Sequence, residues 1–290
     1  MQKRSRGLRE LCRLLGYSSQ AYYQHHRSTE MRTFKQEEII QQVMAHRRRQ
    51  PRLGARKLLE LIRPGIGRDA FFELLRENGL LVRRKIYRTR TTFSCHRFKK
   101  YPDLTGGLVP AAPGRLWVSD ITYIRVGQGF AYLSLVTDAY SRKIIGFCLS
   151  HDLSTGSCLT ALEMALSQKQ PDTPLIHHSD RGTQYCSGTY TALLIKEGIG
   201  ISMTQSGNPR DNAIAERVNG ILKLELLNEA YKNLSGATRA VRSAINTYNN
   251  LRPHSSIDMM TPQAAHRESG PLRRRWRNYY PNHQQITEQV

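Results

Sequence analysis

Acidic residues are scarce in this chain. Against 44 Lys and Arg there are only 23 Asp and Glu in 290 residues, a formal charge of +21 and an isoelectric point near 10.2. That excess goes far beyond what solubility requires and points to a polyanionic partner, nucleic acid first. Cysteine is equally sparse. Cys12, Cys95, Cys148, Cys158 and Cys186 are odd in number, widely spaced and form no C-x-x-C pair, which excludes a disulfide framework and a zinc module. Reduced thiols in a cytoplasmic, nucleoid-associated protein are the expectation. No apolar run approaches the roughly 20 residues that span a bilayer, so no membrane partner is expected. Repeats and low-complexity tracts are absent too. What is present is an ordinary globular composition, 39% hydrophobic, over a length that suits about two domains of roughly 150 residues.

The positive charge is placed at the front. Residues 1–110 hold 25 Lys and Arg against 9 Asp and Glu, whereas residues 111–290 hold 19 against 14. Leu8, Leu11, Leu14 and Leu15, then Gly16 to Ser19, then Ala21 to Tyr23 read as a helix, a turn and a Ser-capped second helix, the outline of a helix-turn-helix. A further pair of helices is expected from Ile39, Ile40 and Val43 and from Leu58, Leu59 and Ile62, parted by the breakers around Pro51 and Gly54. Asp69 can cap another, ending near Asn78-Gly79. Residues 1–98 are therefore read as a basic helical DNA-binding region. Its candidate phosphate contacts are Arg47, Arg48, Arg49, Arg56, Lys57, Arg83, Arg84 and Lys85, cations that would supply sequence-independent affinity by counterion release.

Residues 99–115 carry Pro102, Gly106, Gly107, Pro110, Pro113 and Gly114 and read as a linker. Beyond them the pattern becomes β-branched and aromatic. Leu116 to Ile124, Ala131 to Thr137 and Lys143 to Cys148 are expected as three hairpin strands. A helix (157–168), a buried strand (175–178), a helix (189–197), a strand (199–204) and a helix (213–227) come next, giving βββαβαβα over residues 116–228. Residues 229–290 read as a C-terminal helical segment with a basic tail, Arg273 to Tyr280, that interleaves cations and aromatic rings.

Three carboxylates stand where a charge is costly unless it serves something. Asp120 lies inside the first apolar strand, Asp180 follows the buried strand, and Glu216 comes early on the last helix of the unit. In this element order the first and fourth strands can lie side by side, so both aspartates can meet at one edge with the helix across them. Three hard oxygen donors suit Mg²⁺ or Mn²⁺, and two such ions can clamp the attacking and leaving oxygens of a phosphodiester substitution. Asn219 and Lys223 fall three and seven residues after Glu216 on one helical face, where both could touch substrate DNA. His177 and His178 border Asp180, where either could support the carboxylates or contact substrate, but a strand histidine is more often a satisfied structural group. Asp138 is explained by turn chemistry, Asp211 by helix capping, and Glu225 falls on the apolar side of its helix.

Thirty-five residues separate Asp180 from Glu216. With Trp117 to Tyr123, His178 to Tyr185 and Asp211 to Glu216, this spacing resembles the retroviral-integrase superfamily core, and more narrowly the OrfB-type transposases of the IS-three family of bacterial insertion sequences. Arg47 to Arg90 is similar to that family's helical DNA-binding region, and Tyr248 to His254 with Thr261-Pro262 to its closing segment. The resemblance implies an α/β, RNase H-like catalytic core preceded by an all-α DNA-binding region. It implies a D-D-E triad at Asp120, Asp180 and Glu216, which would hold Mg²⁺ or Mn²⁺, two ions per site, and a basic residue at the position of Lys223. The activity implied is cleavage of double-stranded DNA at terminal inverted repeats, then attack of the freed 3′-hydroxyl on a second phosphodiester. The partners implied are element ends, target DNA, further copies of the chain on DNA, and an OrfA-type protein or fusion. The His-His-Cys-Cys zinc module of retroviral integrases has no counterpart here. The other readings are a non-catalytic DNA-binding regulator derived from a transposase, and an RNase H-like nuclease that cuts without joining.

Overall fold

The computed structural model describes residues 2–82, 97–106, 108–171, 173–205 and 209–273. Cys95, Arg83, Arg84, Lys85 and the tail from Arg274 lie outside these. The chain divides into two compact units, Met1–Arg83 and Arg84–Val290.

The first unit holds α1 (Gln2–Leu14), α2 (Ser19–Arg49), α3 (Ala55–Ile62) and α4 (Arg68–Glu77). Gly16, at φ +73°, makes the turn after α1, and Ser18 Oγ accepts from Ala21 N at 3.0 Å to cap α2. The two helices expected from Ser19 and from residue 36 are one continuous helix of 31 residues. The physical reason is an absence: no Gly or Pro interrupts residues 19–49, so nothing breaks the backbone ladder between the two apolar stretches. Only its C-terminal half is buried. Ile39 and Val43 meet Leu53, Leu58, Phe71, Leu74 and Leu75 in a small core. Arg63 adopts the left-handed conformation at the end of α3, immediately before Pro64, and Gly79 closes α4 at φ +64°. Asp69 does not cap α4. Gly67 occupies that position, and Asp69 in the first turn accepts from Arg68 Nε at 2.9 Å.

The second unit is built on a five-stranded sheet of β1 (Leu116–Val126), β2 (Gly129–Asp138), β3 (Ile144–Ser150), β4 (Ile176–Ser179) and β5 (Gly200–Met203), in the order β3-β2-β1-β4-β5. The first three strands pair antiparallel, while β4 and β5 run parallel to β1. The expected βββαβαβα order is present, with β1 beside β4. α5 (Thr155–Leu166) and α6 (Gly188–Lys196) cover one face, where Trp117, Val136, Ile145, Leu162, Tyr190 and Met203 share a core. α5 lies so close to β3 that a Cβ on Gly146 would collide with the backbone carbonyl of Ala161. α7 (Ala213–Ile221) and α8 (Leu234–Asn250) cover the other face through Leu133, Leu135, Val218, Ile221, Val241 and Tyr248. The expected RNase H-like arrangement, a mixed sheet between helices, is thus the arrangement observed.

Two segments depart from the sequence reading. Residues 233–250, read as part of a C-terminal segment outside the core, pack on the sheet, because Ala237, Val241, Ala244, Ile245 and Tyr248 form a buried stripe. The described residues among 99–115 form no helix or strand, as their breakers dictate, yet they are pinned. Met203 N donates to Pro102 O at 3.2 Å, Leu104 N to Ser202 Oγ at 2.8 Å, and Gly114 N to Asp138 Oδ2 at 2.8 Å.

Candidate active site

The sheet topology places the two aspartates. In the parallel pairing of β1 with β4, Val118 stands opposite His178. Two residues further along each chain come Asp120 and Asp180. With side chains alternating faces every residue, both follow the face of Val118 and His178, at the carboxyl end of the β1–β4 ladder. That is also where the chain switches from antiparallel to parallel pairing, the position at which open α/β sheets leave a crevice. Asp120 is half-buried. Its Oδ2 accepts from Asn219 Nδ2 at 2.7 Å and its Oδ1 from Ile121 N at 2.9 Å. Asp180 Oδ1 accepts from Gly182 N at 3.0 Å, and a Cβ on Gly182 would press on that same oxygen.

α7 carries the third carboxylate and crosses the same face. Glu216, in its first turn, is exposed. The helix is tied to both aspartate-bearing strands. Asn212 Nδ2 donates to Ser119 O on β1 at 2.9 Å, and His178 Nε2 on β4 lies 3.0 Å from Asp211 O. An N–H facing a carbonyl fixes the tautomer: His178 Nε2 donates, and Nδ1 accepts from Ser202 Oγ at 2.8 Å. Asp211 therefore serves through its backbone, and Asn212, not Asp211, occupies the N-cap position of α7.

Residues 213–227 are not one α-helix. After Ile221 the chain widens into a π-helical turn, Leu222–Leu226. One extra residue in the turn rotates the side chains beyond it about the helix axis, which accounts for Glu225. Its carboxylate forms a fork with Arg252, Nε to Oε2 and Nη2 to Oε1, each 2.8 Å. Arg252 is only 1% exposed and Glu225 half-buried, so this is a desolvated charge pair inside the apolar layer under α8. Lys223 keeps an exposed side chain within the field of Asp120; burial of its stem lowers the ammonium's proton affinity and Asp120 opposes that shift.

The electrostatics single out Asp120. Burial, and then the charges of Asp180 and, more weakly, Glu216, push its carboxyl up to about 7, against the pull of the Asn219 and Ile121 donors. Burial also raises Glu216. Among the described residues no three His, Cys, Asp or Glu side chains stand close enough to form a ready-made metal cluster. The three carboxylates share a field rather than a closed shell. Their chemistry nonetheless fits a hard divalent cation: all donors are oxygens, and mutual repulsion leaves the site short of positive charge.

The other expected site residues divide between structural and exposed positions. Asn219, expected to face DNA, is 6% exposed and turns its amide to Asp120. Arg47 folds back so that Nη2 donates to Leu53 O at 3.4 Å, a half-buried brace for the loop after α2. Arg48, Arg49 and Arg56 are exposed, at the end of α2 and the start of α3, and Lys57 is half-buried. His177, as expected, is structural, with Nε2 2.8 Å from Ser119 Oγ and 3.0 Å from Tyr190 Oη, and burial holds it neutral, its value near 3. Asp138 does more than shape a turn. Fully buried, it accepts from Gly114 N, Ser141 N and Ser141 Oγ at 2.7–2.8 Å. Asn212 and Arg252 were not singled out by the sequence reading. The signal for Arg252 was available, since Glu225 on an apolar helix face requires a buried cation.

Sequence profiles of the Integrase core domain match residues 110–209 and, for a second profile of the same description, 197–262. The chain is 34% identical to a 31 kDa protein of insertion element IS600 from Shigella sonnei, over 88% of this chain and 96% of that protein. It is 34% identical to the transposase of IS629 from Shigella sonnei, over 69% of this chain and 68% of that one. Transposase InsF of IS3A from Escherichia coli is 35% identical over 53% of this chain and 54% of that protein. Among solved structures, a chain of the simian T-cell lymphotropic virus intasome aligns over 76% of this chain and 74% of its own at 18% identity, with a TM-score of 0.48.

Proposed function

The chain belongs to the insertion-sequence transposases of the DDE/integrase superfamily, and from that premise we propose that it cuts and rejoins DNA strands with Asp120, Asp180 and Glu216 as its catalytic carboxylates. The observation that carries this reading is the placement of Asp120 on β1 and Asp180 just after the neighbouring parallel β4, with Glu216 on the helix tied to both strands, where burial first and then the charges of Asp180 and Glu216 raise Asp120 to about 7. A protein does not gather like charges in a half-buried crevice for stability, and clusters of this kind mark functional sites.

The three carboxylates would hold one or two Mg²⁺ or Mn²⁺ ions, which supply Lewis-acid stabilisation of charge on the phosphodiester oxygens. The chain's own groups have distinct tasks. Asn219 fixes the Asp120 carboxylate, so that one oxygen is already oriented before DNA arrives. The Gly182 amide does the same for Asp180. Lys223, beside Asp120, would neutralise a substrate phosphate entering the crevice, and Arg48, Arg49, Arg56, Lys57, Arg83, Arg84 and Lys85 would grip the backbone of the inverted repeats. Copies of the chain assembled on two element ends, with an OrfA-type partner, would bring both ends to one target.

The test incubates the full chain with labelled duplex carrying the repeats that flank its own gene, target plasmid, and Mg²⁺ or Mn²⁺. Joined product from wild type, none from Asp120→Asn, Asp180→Asn or Glu216→Gln, and unchanged end binding by all four is the expected result. Cleavage without joining would replace this reading with a nuclease, and joining by any carboxylate variant would remove that residue from the triad.

A further inference from the structure

The short turn that leads into α7 is fastened to two strands at once. His178 Nε2 donates to Asp211 O from β4, and Asn212 Nδ2 donates to Ser119 O on β1. The strand residues are neighbours of the aspartates: His178 is two positions before Asp180, and Ser119 one before Asp120. The Asn212–Ser119 tether is buried, and the His178–Asp211 tether runs from a buried imidazole to a half-buried residue. His178 is itself locked from behind, its Nδ1 on Ser202 Oγ of β5, which also receives Leu104 N.

We propose that His178 and Asn212 are positioning residues that set where Glu216 stands relative to Asp120 and Asp180. The need for such a device comes from the fold. Asp120 and Asp180 are fixed by the β1–β4 ladder, whereas Glu216 is exposed and rides on a nine-residue helix that follows a 3₁₀ turn. A rotation of that helix by one residue, about 100°, would carry Glu216 out of the crevice. Van der Waals packing of Ala215 and Val218 resists translation; two directional hydrogen bonds at the helix entrance fix rotation. The tethers act on two main-chain carbonyls, Asp211 O and Ser119 O, so each holds the backbone itself rather than a mobile side chain. This inference rests on the assignment of Glu216 as the third carboxylate.

The test exploits the geometry of His178. Glutamine can place its amide nitrogen where Nε2 stands, whereas asparagine reaches only the Nδ1 position. In the full chain, His178→Asn and Asn212→Asp are expected to lower kcat for joining by roughly 10–100-fold, the range for residues that orient metal-site ligands, with KM for the end duplex within about twofold. His178→Gln should recover most of that loss. Hydrogen exchange supplies a readout independent of turnover. Amides of residues 215–219 should exchange roughly tenfold faster in His178→Asn and return towards wild type in His178→Gln, while those of α5 stay unchanged. Equal acceleration in α5 would mean general destabilisation and overturn the proposal, as would wild-type joining by His178→Asn or failure of glutamine to rescue. Glu216→Gln, assayed alongside, separates the two levels. If it joins DNA normally, the triad assignment falls and the tethers' purpose with it; if it is inactive while His178→Asn is fully active, only the tethers fall.

Discussion

The two units of this chain use charge in opposite ways. In the first, cations are mostly on the surface: Arg48, Arg49 and Arg56 project from helices around a core of seven buried apolar residues, and the first half of α2 is almost wholly exposed. In the second, the informative charges are inside. Arg252 and Glu225 lie under α8, Asp138 is sealed beneath Gly114 and Ser141, and Asp120 is held beside Asp180 against its own repulsion. Surface cations interact through a screened field and tolerate replacement one at a time, whereas buried charges are each committed to a named partner. The first arrangement suits binding a polyanion of any sequence; the second suits holding a small number of atoms in place.

Substitutions should separate the two behaviours. The largest effect falls on the carboxylates: Asp180→Asn is expected to reduce joining more than about 10³-fold with no change in end affinity, measured by filter binding beside a turnover assay. Gly146→Ala comes next. The new methyl group meets the Ala161 carbonyl, backbone against backbone, and should prevent cooperative folding or lower the urea midpoint sharply, with circular dichroism as the check. Arg252→Met removes the two-bond fork from the half-buried Glu225 and should cost about 3–5 kcal/mol in urea unfolding, more than Glu225→Leu with Arg252→Met together. At the small end, Arg48→Ala or Arg56→Ala should leave stability unchanged. Each should weaken DNA binding modestly and reduce the slope of log K against log salt by about 1 for every phosphate left without its cation.

Much of the second unit was legible in sequence because period-2 and period-3.6 apolar patterns are directly encoded. The adjacency of β1 and β4 was accessible because the βββαβαβα order lets the first and fourth strands lie side by side, which lets their aspartates meet. What escaped was of two kinds. The continuous α2 was hidden because apolar residues mark the buried half alone, and helix persistence through residues 19–38 depends on the absence of breakers, a weaker signal. The partners of Asn219, Asn212, His178 and Arg252 escaped because a polar side chain's partner is fixed by tertiary approach across 27 to 99 residues of sequence. Asn219 lies on the face shared with Glu216, as its spacing requires, yet whether it faces DNA or Asp120 is decided by how closely α7 packs on β1. The π-helical turn is likewise invisible to a 100° wheel, which is why such a wheel puts Glu225 on the apolar face without showing its partner.

The central claim is that Asp120, Asp180 and Glu216 form one electrostatic site that awaits a cation. Asp120 titrates near 3.8 in the unfolded chain and about 7 in the folded one, so the folded state retains a proton that the unfolded state has lost. Its contribution to stability is full below pH 3.8 and is lost as the pH rises through 7. Thermal unfolding of the full chain at pH 5 and pH 8, with and without millimolar Mg²⁺, in wild type and Asp120→Asn, reads this directly. The metal-free wild type is expected to lose stability between the two pH values, Mg²⁺ to restore it at pH 8, and Asp120→Asn to be more stable than wild type at pH 8 and indifferent to Mg²⁺. An Asp120→Asn protein as sensitive to pH and as responsive to Mg²⁺ as wild type would contradict it.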